Sequence, residues 1–151
     1  MFKLDEIPKG IYNSVFSARQ PIGGDKEYVF PTDTSSVTPE ELSSLMLKIT
    51  SWASYSIRQL TLVNAKKERA KWEYDQLFRP LIVEEKAKTK DKIVAEAHAK
   101  NPQLNNLEEE LRALSVEEYT WQKILSTYDL QLDVIQRELS RRATELRALG
   151  R

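Results

Sequence analysis

The chain has 151 residues, with 23 basic and 23 acidic side chains and no cysteine. A chain of this length forms one ordinary domain and normally buries enough surface to fold without disulfides or metal. The lack of cysteine excludes disulfides, zinc–thiolate sites and thiol nucleophiles, and it is typical of a protein of the reducing cytoplasm.

Neither a membrane location nor a secretory signal is expected. No run of the sequence approaches the roughly 18 consecutive apolar residues that a spanning helix needs. The N-terminus carries Asp5 and Glu6, where a signal peptide has a basic flank followed by an apolar stretch. We therefore expect a soluble, cytoplasmic protein without membrane partners.

Residues 1–37 are predicted to form an extended N-terminal arm. They contain three of the four glycines and three of the six prolines, with scattered apolar side chains. The stretch Tyr28-Val29-Phe30 is a candidate short strand. Because the apolar side chains need a surface to pack on, the arm is expected to dock either on the helices of its own chain or on a neighbouring subunit.

A long helix is predicted to begin at Thr38-Pro39-Glu40-Glu41. Thr38 can cap the free amides, Pro39 suits the first helical position, and Glu41 completes a capping box. Lys67 interrupts the inward stripe of this helix, and Pro80 is predicted to kink or end it near the two residues before the ring. The stripe advances in steps of three and four residues. It contains Leu42, Leu45, Ile49, Trp52, Ser56, Leu60, Val63, Ala70, Tyr74, Leu77 and Leu81.

Residues 84–114 are predicted to be a charged connector made of one or two short helices. The apolar periodicity is weak there, and Asn101-Pro102 is the clearest break. A disordered loop is the alternative, because few large apolar groups are present to offset the entropy of ordering. His98 is the only histidine and is expected to be an ordinary surface residue.

A second capping box, Ser115-Val116-Glu117-Glu118, predicts the start of the last helix. The inward positions of this helix step by four and three without a break, which is the heptad pattern of a coiled coil. Arg142 is the one charged residue among them, and Gly150 is a natural stop. These positions are Trp121, Leu125, Tyr128, Leu132, Ile135, Leu139, Arg142, Leu146 and Leu149.

The predicted elements define an all-α fold in which residues 38–151 form a long antiparallel helical hairpin. The hairpin alone cannot bury every apolar side chain, because a further set lies off the inward stripes. We therefore expect a homo-oligomer in which hairpins pack against one another. The additional apolar residues are Leu47, Ile57, Leu62, Leu130 and Val134.

The sequence carries none of the common catalytic or metal-binding motifs. It lacks a glycine-rich phosphate loop, a nucleophile elbow and a His-Glu-x-x-His helix. Adjacent acids such as Glu84-Glu85 point in different directions around a helix and do not form a facing pair. We therefore expect no catalytic residue, no metal site and no cofactor.

Two clusters of basic residues favour a polyanionic partner. Residues 58–71 carry five basic side chains and one acid, and residues 137–151 carry five and two. Single-stranded nucleic acid is commonly held by a cationic groove with aromatic platforms for base stacking. The candidate nucleic-acid-binding residues are Lys66, Lys67, Arg69, Lys71, Trp72, Arg137, Arg141 and Arg142. The alternative is that these cations are ordinary solvated helix faces and that Trp72 covers a neighbouring helix.

Three groups of residues support a family resemblance by their order along the chain. They are Met46-Leu47 with Trp52, Ala65–Lys71 leading to Trp72-Glu73-Tyr74, and Tyr119-Thr120-Trp121 followed by Ile124-Leu125, Asp133, Ile135 and Arg137. Over residues 42–78 and 115–142, this order resembles the UvsY-like recombination mediators of tailed bacteriophages. The resemblance implies a small helical oligomer of the host cytoplasm that binds single-stranded DNA and helps load a recombinase in place of a single-strand-binding protein. The N-terminal arm and the long connector depart from the family's pattern.

Two other classes of protein remain open. A phage structural or assembly protein would thread its arm into a neighbouring subunit and build a ring from its hairpins. A small helical adaptor or inhibitor would bind one host protein through its surplus apolar surface. Salt-sensitive DNA binding would favour the mediator, whereas strong self-association without DNA binding would favour the other two.

Overall fold

The computed structural model of the chain describes residues 28–82 and 89–150, and this part is all-α, as predicted, without a strand. In these ranges a single 3₁₀ turn, Thr34–Ser36, precedes three helices: α1 (Pro39–Ile82), α2 (Lys90–Lys100) and α3 (Gln103–Leu149). The first 27 residues of the predicted arm and residues 83–88 of the predicted connector lie outside the described residues. None of the described helices combines the length and apolarity that a membrane span requires.

The start of α1 is the predicted capping box. Glu41 N donates to Thr38 Oγ1 at 3.2 Å, and Thr38 N donates to Glu41 Oε2 at 2.9 Å. The hydrogen bond from the Thr38 amide also lowers the pKa of the Glu41 carboxyl, which keeps the capping group ionised. Two of the amides that a helix start leaves open are thereby satisfied.

Of the two outcomes predicted at Pro80, a kink or an end of the helix, the end is wrong, because α1 continues through this proline to Ile82. Pro80 lies in the last described turn of α1. A proline removes the hydrogen bond that its missing amide would donate to the carbonyl four residues earlier. So close to the helix end, this loss affects a single hydrogen bond and does not stop the turn that contains it.

The stretch Tyr28-Val29-Phe30 does not form the predicted strand. It belongs to a segment, residues 28–37, that we call the strap and that packs against α3. The hydroxyl of Tyr28 donates to Gln131 Oε1, and its ring contacts the ring of Tyr128 at a centroid distance of 6.4 Å. The strap is therefore held by side chains rather than by a backbone ladder.

The second predicted capping box is also wrong, because α3 begins at Gln103 and runs through Ser115. The hydroxyl of Ser115 donates back to Leu111 O at 2.8 Å within the helix. The chain breaks where predicted, at Asn101-Pro102: Asn101 is extended, and its Oδ1 accepts from Gln103 N at 3.1 Å. The side chain of Asn101 thus caps α3, which begins twelve residues before Ser115, where the sequence pattern placed its start.

The contacts divide the described residues into two units. Unit I contains residues 60–82 and 89–120, and unit II contains residues 28–59 and 121–150. Both units combine a part of α1 with a part of α3. Each unit has its own set of buried side chains.

The core of unit II joins the first half of α1 to the second half of α3. Two edge-to-face contacts extend it, from Tyr55 to Trp52 and from Tyr55 to Trp121, with centroid distances of 6.0 and 6.1 Å. Full burial of a large aliphatic side chain stabilises a fold by about 1.5–3 kcal/mol, so this cluster is the main stabilising feature of unit II. Its buried members are Leu42, Leu45, Ile49, Ala53, Tyr128 and Ile135, and the strap adds Tyr28, Phe30 and Val37.

Unit I has its own core, which includes a polar network around His98. Tyr74 Oη lies 3.0 Å from His98 Nε2, and Asn105 Oδ1 lies 2.5 Å from His98 Nδ1. Burial raises the pKa of the Tyr74 hydroxyl, so it remains protonated and can donate to the imidazole. The expectation that His98 is an ordinary surface residue is wrong, since its side chain is only 13% exposed. The buried residues of this unit are Val63, Ala70, Ala97, Leu104, Leu107 and Leu114.

Candidate nucleic-acid interface

Trp72 lies on the outward face of α1 in unit I. The inward face of this part of the helix is defined by the buried residues Val63 and Ala70. At about 100° per residue, Trp72 points about 180° away from Val63 and about 160° away from Ala70. The residue is 48% exposed. Trp72 therefore lies on the side of α1 opposite the buried residues of unit I, with about half of its surface open to solvent.

Two lysines flank this tryptophan on opposite sides of the helix. Lys66 and Lys71 are both exposed. Lys71 Nζ contacts Glu68 Oε1 at 2.7 Å, and the hydrogen bond to this carboxylate raises the pKa of the lysine. Lys66 makes no ion pair with any residue of the two described ranges. The two ammonium groups can therefore approach a polyanion from either side of Trp72.

Arg69 is exposed, and a carboxylate contacts one edge of its guanidinium group. Its Nε donates to Glu73 Oε1 at 2.8 Å, an ion pair across one helical turn. Within the described part of the chain this is its one hydrogen bond, so both terminal amino groups of the guanidinium remain available. Arg69 can therefore contact a phosphate while it keeps its carboxylate partner.

Lys67 differs from the other three cations of the first cluster, because it points inward. Its Nζ lies 2.5 Å from Glu118 Oε2 on α3, and the two side chains are 22% and 24% exposed. This ion pair occupies the inward stripe that Lys67 interrupts in the sequence. The geometry assigns Lys67 to the packing of α1 on α3 rather than to the exposed basic face.

The second basic cluster, in unit II, is engaged in ion pairs within the chain. Arg142 Nε donates to Glu138 Oε1 at 2.6 Å, and its Nη2 donates to Thr34 O at 2.9 Å and to Ser35 O at 3.1 Å. With 19% of its side chain exposed, Arg142 fastens the strap to α3. It is not a free surface cation.

The neighbouring arginines of this cluster are also paired. Arg141 donates two hydrogen bonds to Glu138, at 2.9 and 2.8 Å, and one to Glu145. Arg137 lies 2.6 Å from Asp133. The hydrogen bonds from Arg141 and Arg142 hold the pKa of Glu138 at about 2. Glu138 is therefore ionised at neutral pH and offsets one of the positive charges of this cluster.

The acidic partners of these cations are the residues that sequence reasoning missed. The pairs of Glu73 with Arg69 and of Glu138 with Arg142 are separated by four residues, a spacing that the sequence itself displays. Glu118 gives no such local signal, because its partner lies 51 residues earlier on another helix.

Other kinds of site have little support in the described ranges. No group of three or more histidine, aspartate or glutamate side chains there could hold a metal ion. A shallow groove of about 380 Å³ lies in unit II between the strap and the start of α1. Its ionisable residues include Glu41, which is occupied by the helix cap, and Lys48.

Comparison of the chain with protein-family models, curated proteins and solved structures gives no match.

Proposed function

We propose that the protein is a non-enzymatic homo-oligomer that binds single-stranded DNA and helps load a recombinase onto it. The observation that carries this proposal is the half-exposed indole of Trp72 on the outward face of α1, with the exposed cations Lys66, Arg69 and Lys71 around it. The recombinase-loading role is supported by the resemblance to UvsY-like mediators.

The chemistry of this face suits a single strand. A base stacked on an indole contributes about 1–3 kcal/mol and requires no particular sequence. Contacts with phosphates release counterions from the nucleic acid, which favours binding at low salt. The carboxylates next to Arg69 and Lys71 are weak competitors, because solvent-exposed ion pairs contribute little. A phosphate can therefore replace or join them.

Self-association would multiply this modest surface. In unit II, Thr34 contacts Arg142 and Tyr55 contacts Trp121, an order that supports an antiparallel pairing of α1 with α3. Leu47 and Leu130 are 69% and 68% exposed, which leaves apolar surface for a second copy. Several copies of a weak site on one strand give a much higher overall affinity than one site does.

A phage structural or assembly protein is the second candidate function. It is favoured by the second basic cluster, in which Arg142 fastens the strap and Glu138 accepts hydrogen bonds from two arginines. These arginines then stabilise the fold and are not needed for nucleic acid. In this case the exposed leucines would be the functional surface.

Single-strand binding at two salt concentrations separates the two candidates. We expect an oligomer of known mass to bind a strand of about 40 nucleotides tightly at about 50 mM salt and orders of magnitude more weakly at about 200 mM. Replacing Lys66, Arg69 and Lys71 together by glutamine should weaken binding steeply and leave helicity and mass unchanged. No binding by the wild type at the lower salt would reject the nucleic-acid function in favour of the assembly protein.

A further inference from the structure

The outward face of α1 carries one continuous, acid-free line of exposed residues. They are Ala65, Arg69, Trp72, Gln76 and Arg79, and all five are exposed. The steps between them are four, three, four and three residues, so they follow one another along a single side of the helix. The acids of this region, such as Glu68 and Asp75, lie beside the line rather than on it.

Arg79 has the most available guanidinium on this line. Among the described residues its one ion pair is loose, with Nη2 3.9 Å from Asp75 Oδ2, and its side chain is 73% exposed. The corresponding distance from Arg69 to Glu73 is 2.8 Å. Arg79 therefore gives up less than Arg69 does when it contacts another anion.

The spacing along the helix matches a short stretch of single strand. At about 1.5 Å per residue, Arg79 lies about 15 Å along the axis from Arg69, with Trp72 and Gln76 between them. This distance corresponds to about four nucleotides of a strand with stacked bases, which rises about 3.4 Å per nucleotide. A strand that runs along the helix can therefore contact both guanidinium groups while one of its bases lies on the indole.

We propose that Arg69, Trp72, Gln76 and Arg79 form one binding line for single-stranded nucleic acid, with Arg79 as a phosphate contact at its far end. The inference rests on the proposed function and extends it by a residue outside the basic clusters. Arg69 and Arg79 hold the backbone, Trp72 stacks a base, and the amide of Gln76 can donate to and accept from a base edge. A duplex fits less well, because its base faces are not available to the indole.

The contribution of Arg79 is tested by comparing Arg79→Gln with a matched control, Arg112→Gln. Arg112 is an arginine of α3 in the same unit, with 76% of its side chain exposed and a carboxylate, Glu108, four residues before it at 3.5 Å. Both substitutions remove one exposed charge from a similar ion pair. Binding of the full-length wild type and both variants to oligothymidylate is measured over a range of salt concentrations.

We expect Arg79→Gln to weaken binding about fivefold at about 0.1 M salt and to reduce the slope of log affinity against log salt by about 0.7. Arg112→Gln should change neither quantity, and Arg79→Lys should keep most of the slope. Inorganic polyphosphate, which has no bases, should bind the wild type much more weakly than oligothymidylate does.

Three results would overturn the inference. If the wild type binds and Arg79→Gln binds equally well, Arg79 is not a contact, although the proposed function stands. If both arginine variants lose the same affinity, only overall charge matters. If polyphosphate binds as tightly as oligothymidylate, the line is a general polyanion surface. A wild type that binds no oligothymidylate rejects the proposed function itself.

Discussion

Lys67 of α1 and Glu118 of α3 interrupt the inward stripes of their two helices and meet each other in a partly buried ion pair, with Nζ and Oε2 2.5 Å apart. Each charge alone would be unfavourable among apolar neighbours. Together they satisfy one another at the cost of partial desolvation. Such a pair favours one register of α1 against α3 over the neighbouring ones, because a slip would leave both charges unpaired.

Removing one member of the pair should therefore lower the free energy of unfolding more than replacing both members by apolar residues does. We expect Glu118→Leu to lower the free energy of unfolding by about 1 kcal/mol, since it leaves Lys67 without its carboxylate; the effect is modest because both side chains retain some solvent. The double variant Lys67→Met/Glu118→Leu should recover most of this loss. Urea unfolding measures the stability of both variants. If the single and the double variant are equally stable, the ion pair does not stabilise the packing of α1 on α3.

Arg142 should prove to be a structural residue. We expect Arg142→Ala to lower the free energy of unfolding by about 1–2 kcal/mol, because Thr34 O and Ser35 O lose a charged donor. It should change single-strand affinity little when measured where the variant is folded. Arg137→Ala is the matched control, since in the described ranges Arg137 has one ion pair, with Asp133 on the surface, and its loss should stay within about 0.5 kcal/mol. A large loss of DNA affinity in Arg142→Ala with unchanged stability would restore it to the binding surface.

The fall of the free energy of unfolding at acidic pH should depend on Glu138. Its pKa falls from an ordinary value of 4.5 to about 2 in the folded state, so the ionised carboxylate favours folding. This contribution is fully present above about pH 4.5 and is lost as the pH falls from there towards about 2. We expect Glu138→Gln to flatten the pH dependence of unfolding in that window. Glu109→Gln, at an exposed carboxylate of α3, should leave the curve unchanged. Parallel curves for the wild type and Glu138→Gln would contradict the assignment.

How much of this fold the sequence predicted depends on whether the signal was local. The start of α1 was predictable, because Thr38 and Glu41 form a cap within four residues. The start of α3 was missed, because Glu118 breaks the stripe that Leu107 and Leu114 begin, and Ser115 next to this break resembled a cap. A charge in a stripe looks like an interruption until its partner on the other helix is known.

The same reason explains what was missed at the candidate site. The clusters of basic residues were correctly located on helices, but which of them face solvent depends on packing. Lys67 and Arg142 find partners 51 and 108 residues away, and no local pattern indicates such pairs. His98 is a similar case, since it meets Tyr74 across 24 residues of sequence.

Trp72 should contribute to binding and little to folding. We expect Trp72→Ala to weaken single-strand affinity by a factor of about 5–150, the equivalent of about 1–3 kcal/mol of stacking, while the midpoint of urea unfolding stays nearly constant. Trp72→Phe should retain part of the affinity. The control is Tyr119→Ala, which removes an exposed aromatic of α3 in the same unit but outside the proposed line. Fluorescence anisotropy of a labelled single strand measures the affinity of both variants. A Trp72→Ala variant with the wild-type affinity would show that the indole stacks no base.

The last prediction separates the inward from the outward face of α3 in unit II. Leu132 packs partly buried against the core, whereas Leu130, two residues earlier, is 68% exposed. We expect Leu132→Asp to lower helicity and thermal stability strongly, because an unpaired carboxylate cannot be accommodated in an apolar core without a cost of several kcal/mol. Leu130→Asp should leave helicity unchanged. If the exposed leucine lies between copies, as proposed, the same substitution should reduce the mass measured by light scattering at micromolar concentration. A wild type that is already a 17.5 kDa monomer under these conditions would reject self-association, and a Leu130→Asp variant with the wild-type oligomeric mass would place the contact between copies elsewhere on the chain.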